Sequence, residues 1–271
     1  MTLPTSSTTT PHESAVWLPS LPPTDLVFDD GIPLESNRHR LAMNLLIDTV
    51  YEALAPREDF YASGNMFVYF SKAQVKNQDF RGPDFFVALG VDGRKERQGW
   101  VVWEEDGKHP DVIVELMSES TATVDLTTKK QIYEQIFKAQ HYFVFDPFNP
   151  RSLQGWELQK GQYVALQPND KGWLWCSSLE LWLGTWHGQV LQETTDWLRF
   201  YFPDEQLVLL PREQEYERAQ QEYERAQQEY ERAQQERLRA EQVEAELAAE
   251  RQQKAALRAK LRELGVDPDT V

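Results

Sequence analysis

Between His109 and Pro147 the apolar positions form two dense runs separated by a helical pattern. The first, Val112-Ile-Val-Glu115-Leu, is apolar at every position but one. The second, Tyr142 to Phe145, is aromatic and β-branched and ends at Asp146-Pro147. Between them a helix is predicted to begin at Asp125, with Lys129, Ile132, Tyr133 and Ile136 sharing one face at steps of three, four and seven. Strand, helix, strand predicts a βαβ unit. Glu115 is the odd residue in it. Its neighbours suit a strand covered on both faces, where a carboxylate is costly unless it meets a cation or a metal.

The flanking patterns fill out an α+β domain over 31–205, a mixed sheet flanked by helices. Residues 1–30, rich in Thr, Ser and Pro, read as a disordered leader. From Pro33 to Pro56, Leu41, Leu45, Ile47, Val50, Tyr51 and Leu54 recur at helical spacing, with Glu35, Arg38 and His39 in the first turns. Phe60 to Phe70 is strand-like, with Gly64-Asn65 as a hairpin turn or bulge. Pro83-Asp84 leads into an apolar strand closed by Gly90, and Trp100 to Trp103 predicts another. After the central unit, the Trp-rich runs LQGWELQ, QYVAL, GWLWC and LWLGTW predict an antiparallel meander, with a last strand at Trp197 to Phe202.

At Arg212 the pattern changes again. Glu-Tyr-Glu-Arg-Ala-Gln-Gln occurs three times, aligning Tyr216, Tyr223 and Tyr230 with Ala219, Ala226 and Ala233. This heptad predicts a coiled-coil helix over 212–264, paired with a second copy or another helix. Farther on, the apolar set is Ala240, Val243, Leu247, Leu257, Leu261 and Leu264, interrupted at Glu250 and Lys254. The seam therefore changes face near 233–240. Gly265 stops the helix, and 265–271 reads as a flexible tail.

Composition narrows the function classes. The 271 residues contain no run long enough for a membrane helix and no basic-plus-apolar leader. The lone Cys176, in Trp-Leu-Trp-Cys, reads as a small buried hydrophobe and fits a reducing cytoplasm. Five histidines without ligand spacing argue against zinc. A net charge of −16 is an awkward start for binding nucleic acid. Arg94, Lys95 and Arg97, with Lys72, Lys76 and Arg81, offer a modest basic rim.

Metal-assisted hydrolysis needs oxygen ligands converging from several elements, with a Lys nearby. Glu115 in its strand, Asp84 at the start of another, and Glu35 at the first helix qualify by position, and Lys129 faces the sheet. Blander roles stand beside these. Asp125 suits a helix N-cap better than a ligand, Asp111 suits a strand start better than a further ligand, and Tyr133 suits core packing. His39, one turn after Glu35, is a candidate for the cleft wall. Lys130 faces away, within reach of Glu134.

Pro83-Asp84 followed by Glu115 on an apolar strand resembles the metal-binding motif of the PD-(D/E)-x-K nuclease superfamily. The fuller run, PDVIVELMSEST, Asp125, Lys129, Tyr133 and HYFVFDP, is similar to the Uma2 family of restriction-endonuclease-like proteins, over roughly residues 30–200. The superfamily's Lys two residues after the Glu is here Met117. The resemblance implies that Lys129 replaces it. It further implies that Asp84 and Glu115 hold Mg²⁺, with Mn²⁺ as an alternative ion, and that Lys129 positions the attacking water or stabilises the phosphorane. Glu35 would support the site, and DNA would be the substrate. The competing expectation is an inactive nuclease-like scaffold that acts through its coiled coil.

Overall fold

The central βαβ unit sits in the middle of a six-stranded sheet in the computed structural model, which describes Leu26, residues 36–71 and residues 82–263. The strands are β1 (Phe60–Ser63), β2 (Val68–Tyr69), β3 (Phe85–Leu89), β4 (Trp100–Val101), β5 (Val112–Leu116), β6 (His141–Asp146), β7 (Asn149–Gln159), β8 (Gln162–Ala165), β9 (Leu174–Cys176), β10 (Leu181–Val190) and β11 (Glu193–Tyr201). The main sheet runs β1-β3-β5-β6-β7-β8. Its β5–β6 pair is parallel, as a crossover requires, and its other pairs are antiparallel.

Covering both faces explains why the middle strands are apolar throughout. Every residue of β5 is buried. On one face Phe86, Ala88, Ile113, Met117, Tyr142, Val144 and Trp156 form a core with Tyr133 and Phe137. Helix α1 (Asn37–Leu54) packs against β1, β3, β5 and β11, and Phe85 of β3 meets Phe200 of β11 at a ring separation of 6.1 Å. The Ser36 hydroxyl caps α1 by accepting from the His39 amide.

The helical stretch over 122–137, called α2, is not a uniform α-helix. Single α turns at Ala122–Val124 and Lys130–Ile132 alternate with wide π turns at Asp125–Lys129 and Tyr133–Phe137. The wider turns move the inward face to a step of four, so Asp125, Tyr133 and Phe137 are buried while Ile136 is exposed. The expected steps of three and seven, which assumed 3.6 residues per turn, therefore misplace Ile136.

Other expectations are corrected by the pairing. Gly64-Asn65 does not join a hairpin: β1 pairs with β3, whereas β2 pairs in parallel with β4. A Cβ on Gly64 would collide with the Asp84 carbonyl and the Met43 side chain, and Asn65 takes a left-handed φ of 48°. The strand at Trp100 is short and turns at once into a 3₁₀ turn, Val102–Glu104. The meander divides, with β7 and β8 extending the main sheet and β9 to β11 forming a separate antiparallel one. Residues 1–25, Glu35, Lys72, Lys76, Arg81 and the tail beyond Glu263 lie outside the described residues.

The chain divides into two compact units at Val208 and Leu209. The second is built on one 53-residue helix, α3 (Pro211–Glu263), with no buried residue. Glu213 accepts from the Leu210 amide at its start, at 2.8 Å. Its tyrosine stripe is open, with Tyr216 72% and Tyr223 and Tyr230 65% exposed. The expected helix is present as a single helix.

Candidate active site

Alternation along β5 turns Ile113, Glu115 and Met117 to the face that α2 covers. Glu115 is thus fully buried beneath a helix. The adjacent strand, β3, runs antiparallel with Phe85 opposite Val114 and Phe86 opposite Ile113. One step farther along this register, Asp84 comes opposite Glu115. The Asp84 carboxylate then reaches across to accept from the Leu116 amide at 2.7 Å. Two acids thereby face each other at the end of a ladder, a pairing that is unfavourable without a compensating cation.

Helix α2 supplies that cation. Lys129 Nζ lies 2.9 Å from Glu115 Oε2 and 2.8 Å from Asp125 Oδ1. Tyr133, one wide turn on, donates its hydroxyl to Glu115 Oε1 at 2.6 Å. The start of α2 is closed earlier, by Ser118: its Oγ accepts from the Thr121 amide, and its own amide donates to Thr121 Oγ1 at 3.0 Å. Asp125 is therefore not the N-cap. It sits one turn inside the helix, buried against Lys129, and Tyr142 donates to its main-chain carbonyl at 2.8 Å.

The cluster is short of positive charge. Asp84 is held well above the usual carboxylate range, first by burial and then by the neighbouring Glu115, with Lys129 opposing. Asp125 is raised by burial and by Glu115, again against Lys129. Burial alone would lower Lys129, but Glu115, Asp125 and Asp84 outweigh it and raise the ammonium above its ordinary value. The Tyr133 hydroxyl is pushed up by burial and by Glu115, which keeps it a donor.

Among the described residues no group of three or more His, Cys, Asp or Glu side chains is arranged to hold a metal ion. A magnesium-type ion needs less. It commonly takes one or two carboxylates, keeps several waters and shares substrate phosphates. Asp84 and Glu115 form a donor set of that kind. Asp125 Oδ1, 2.8 Å from the Lys129 ammonium, is buried. The acid excess and the opposed carboxylates both fit a divalent cation.

Asp111, His39 and Lys130 have other partners. Asp111 is at the far end of β5, bound to Lys108 Nζ and to the Leu89 amide at 2.7 Å each, so its role is to hold strand ends. His39 is buried at the other end of β5, with Nε2 3.3 Å from the Met117 carbonyl and Nδ1 2.8 Å from Ser36 Oγ. Through that carbonyl it meets the end of the strand that carries Glu115. Lys130 does not form the ion pair expected with Glu134; it stands 3.8 Å over the Trp156 ring, while Glu134 accepts from the Tyr163 amide. Tyr133, read from the sequence as packing, belongs to the cluster through its hydroxyl. Its place four residues after Lys129 was the available signal.

The described part of the basic rim is already engaged. Arg94 pairs with Glu58, Lys95 with Glu105 at 2.7 Å, and Arg97 with Glu105 at 2.9 Å while lying over Tyr61 and Trp100. The described part of the rim therefore offers less free positive charge than the sequence suggests.

The sequence matches the model of the Uma2 family, described as "Putative restriction endonuclease", over residues 22–192, a span that contains Asp84, Glu115, Asp125 and Lys129 and ends before α3. No curated protein matches the chain. Among solved structures, one from Anabaena variabilis, described as a "putative nuclease belonging to DUF820", is similar at a TM-score of 0.39 and 14% identity, over 54% of this chain and 76% of that one.

Proposed function

Because the chain belongs to the Uma2 family of restriction-endonuclease-like proteins, we propose that it hydrolyses DNA phosphodiester bonds at the Asp84–Glu115–Lys129 centre, with Mg²⁺ or Mn²⁺ held by the two carboxylates. The observation that carries this reading is the placement of Lys129 Nζ 2.9 Å from the fully buried Glu115, with Asp84 opposite on the next strand. A buried acid pair with a single Lys is a costly arrangement for packing alone.

Each side chain has a distinct task in this reading. A cation bound by Asp84 and Glu115 would polarise a phosphoryl oxygen and acidify a bound water. Lys129, held protonated by its acidic neighbours, serves as a donor and positive charge toward the phosphorane, not as a base. Asp125 and Glu115 fix the ammonium between them. Tyr133 fixes the rotamer of Glu115 from beneath, which is the positioning a precise site needs. The engaged rim cations leave few free to meet phosphates, so the reading favours a low-affinity encounter with shallow salt dependence.

The test is cleavage of supercoiled and linear duplex DNA by the purified full chain, with Mg²⁺, Mn²⁺ or chelator, beside Glu115→Gln and Asp84→Asn. The expected outcome is metal-dependent nicking that both substitutions remove. Cleavage that persists equally in the variants would assign the activity elsewhere. No cleavage with any substrate, together with an unchanged melting temperature on adding metal, would favour the scaffold reading.

A further inference from the structure

We propose that the second half of α3 pairs antiparallel with the same segment of a second copy of this chain, centred on Gln252. The apolar row there is open to solvent, with Val243 55%, Leu247 46% and Leu257 63% exposed. Glu250 and Lys254 interrupt it at positions that continue the same seam. The two possible directions treat these interruptions differently.

In a parallel pair each seam residue meets its own copy. Glu250 would face Glu250 and Lys254 would face Lys254, two like-charge layers withdrawn from water. In an antiparallel pair one seam row packs against the other. Centred on Gln252, Glu250 meets Lys254, Leu247 meets Leu257, and Val243 meets Leu261, each layer occurring twice by symmetry. The charged interruption becomes complementary and the apolar residues meet apolar residues. A polar layer of this kind also fixes register, because a shift by one heptad would bury the charges against leucines.

The flanking positions agree. Glu244 comes beside Arg258 and Glu246 beside Lys260 of the other copy, while Arg251 meets its own copy in one remaining unfavourable contact. The described helix ends at Glu263, which in this register lies against Glu241 of the second copy. That is where the seam changes from the Tyr216–Tyr230 side to the Val243–Leu261 side. The change of face thus marks where this pairing stops, and the tyrosine stripe stays outside it.

The mass of the full chain by sedimentation equilibrium tests this, with helix content followed by circular dichroism. The expected result is a dimer that dissociates on dilution. Lys254→Glu should weaken it by on the order of tenfold or more, and the double change Glu250→Lys with Lys254→Glu should restore it. Parallel pairing predicts no such effect, since Lys254→Glu merely exchanges one like pair for another. A spin label at Gln242→Cys should report a separation of about 30 Å, twice the rise over ten residues, against under roughly 20 Å for a parallel pair; the native Cys176 is buried. A monomer at all concentrations, a higher oligomer, an unaffected Lys254→Glu variant or a short label distance would each overturn the proposal. None of these residues belongs to the Asp84–Glu115–Lys129 centre, so this result and the cleavage result stand or fall separately.

Discussion

Replacing Lys129 by Met removes the ammonium that faces Glu115 and Asp125 while keeping most of its length. The two acids are 0% and 1% exposed at the side chain, and Lys129 itself is 23% exposed. Deleting one partner of a buried pair costs about 3–5 kcal/mol, because the other charge stays behind without compensation. The partial exposure of Lys129 places the cost at the lower end, about 3 kcal/mol. In a body of this size that is a fall of roughly 6–12 °C in melting temperature. All nine tryptophans precede Pro211, so their fluorescence in urea or on heating follows the body and not α3. The pH dependence has a definite sign. The folded protein holds the Lys129 proton above its usual value of 10.5, so its contribution is complete below that value and fades only in stronger alkali. In the variant Asp84 and Asp125, already raised by burial and by Glu115, lose the Lys129 that opposes this, so the deficit should shrink as pH falls toward 5. Introducing Glu115→Gln first should reduce the cost of Lys129→Met by about 1–3 kcal/mol, the coupling expected of groups in contact. A Lys129→Met protein within about 0.5 kcal/mol of the parent at neutral pH, or one with no coupling to Glu115, would refute the picture of a buried acid cluster held by one Lys.

Three further outcomes follow from the same geometry. Tyr133→Phe leaves the ring packing intact but removes the donor to Glu115 Oε1; the expected loss is about 1.5–3 kcal/mol in urea denaturation, and an unchanged midpoint would show that this hydrogen bond carries no weight. Gly64→Ala places a methyl group against the Asp84 carbonyl and Met43, which should cost about 1–3 kcal/mol and lower any metal-induced rise in melting temperature; a variant with parental stability and metal response would contradict the close approach. His141 is buried, with Nδ1 3.0 Å from Ser178 Oγ and Nε2 accepting from the Ser177 amide, and burial lowers its pKa to about 4 against Glu157. The unfolded chain takes up that proton near 6.5, so stability should decline as pH falls from about 6.5 to 4, by up to about 3 kcal/mol. Urea midpoints measured across that window should flatten in His141→Gln, and equal slopes in the two proteins would rule His141 out as the cause.

The central unit was legible because its two strands are apolar throughout and its helix is periodic. Lys129 could be placed facing the sheet by spacing alone, and Glu115 stood out as a charge in the wrong company. The errors have separate causes. Counting at 3.6 residues per turn put Ile136 inward, whereas the π turns bring Phe137 in and line up Asp125, Lys129, Tyr133 and Phe137. Asp125 looked like an N-cap because the true closure, Ser118 with Thr121, is a reciprocal side-chain pair that no apolar pattern marks. Arg94, Lys95 and Arg97 looked free because their partners lie outside the run that holds them: Glu58 is 36 residues from Arg94, and Glu105, 10 and 8 residues on, serves both other cations. The opposition of Asp84 and Glu115 depends on strand register, which neither run reveals alone.

That register carries a constraint on how the gene can change. Asp84 reaches Glu115 only because an odd number of steps separates it from Phe85 and its antiparallel partner Val114. Deleting or inserting one residue between Asp84 and Leu89 would reverse the side-chain parity of what precedes it, sending the aspartate toward α1 and an apolar residue toward the acids. A change of two residues would keep parity and shift the carboxylate along the strand. Length variation in β3 should therefore be tolerated, if at all, in even steps, and a library of single-codon and double-codon deletions across this strand would read that rule directly as a difference in folded yield.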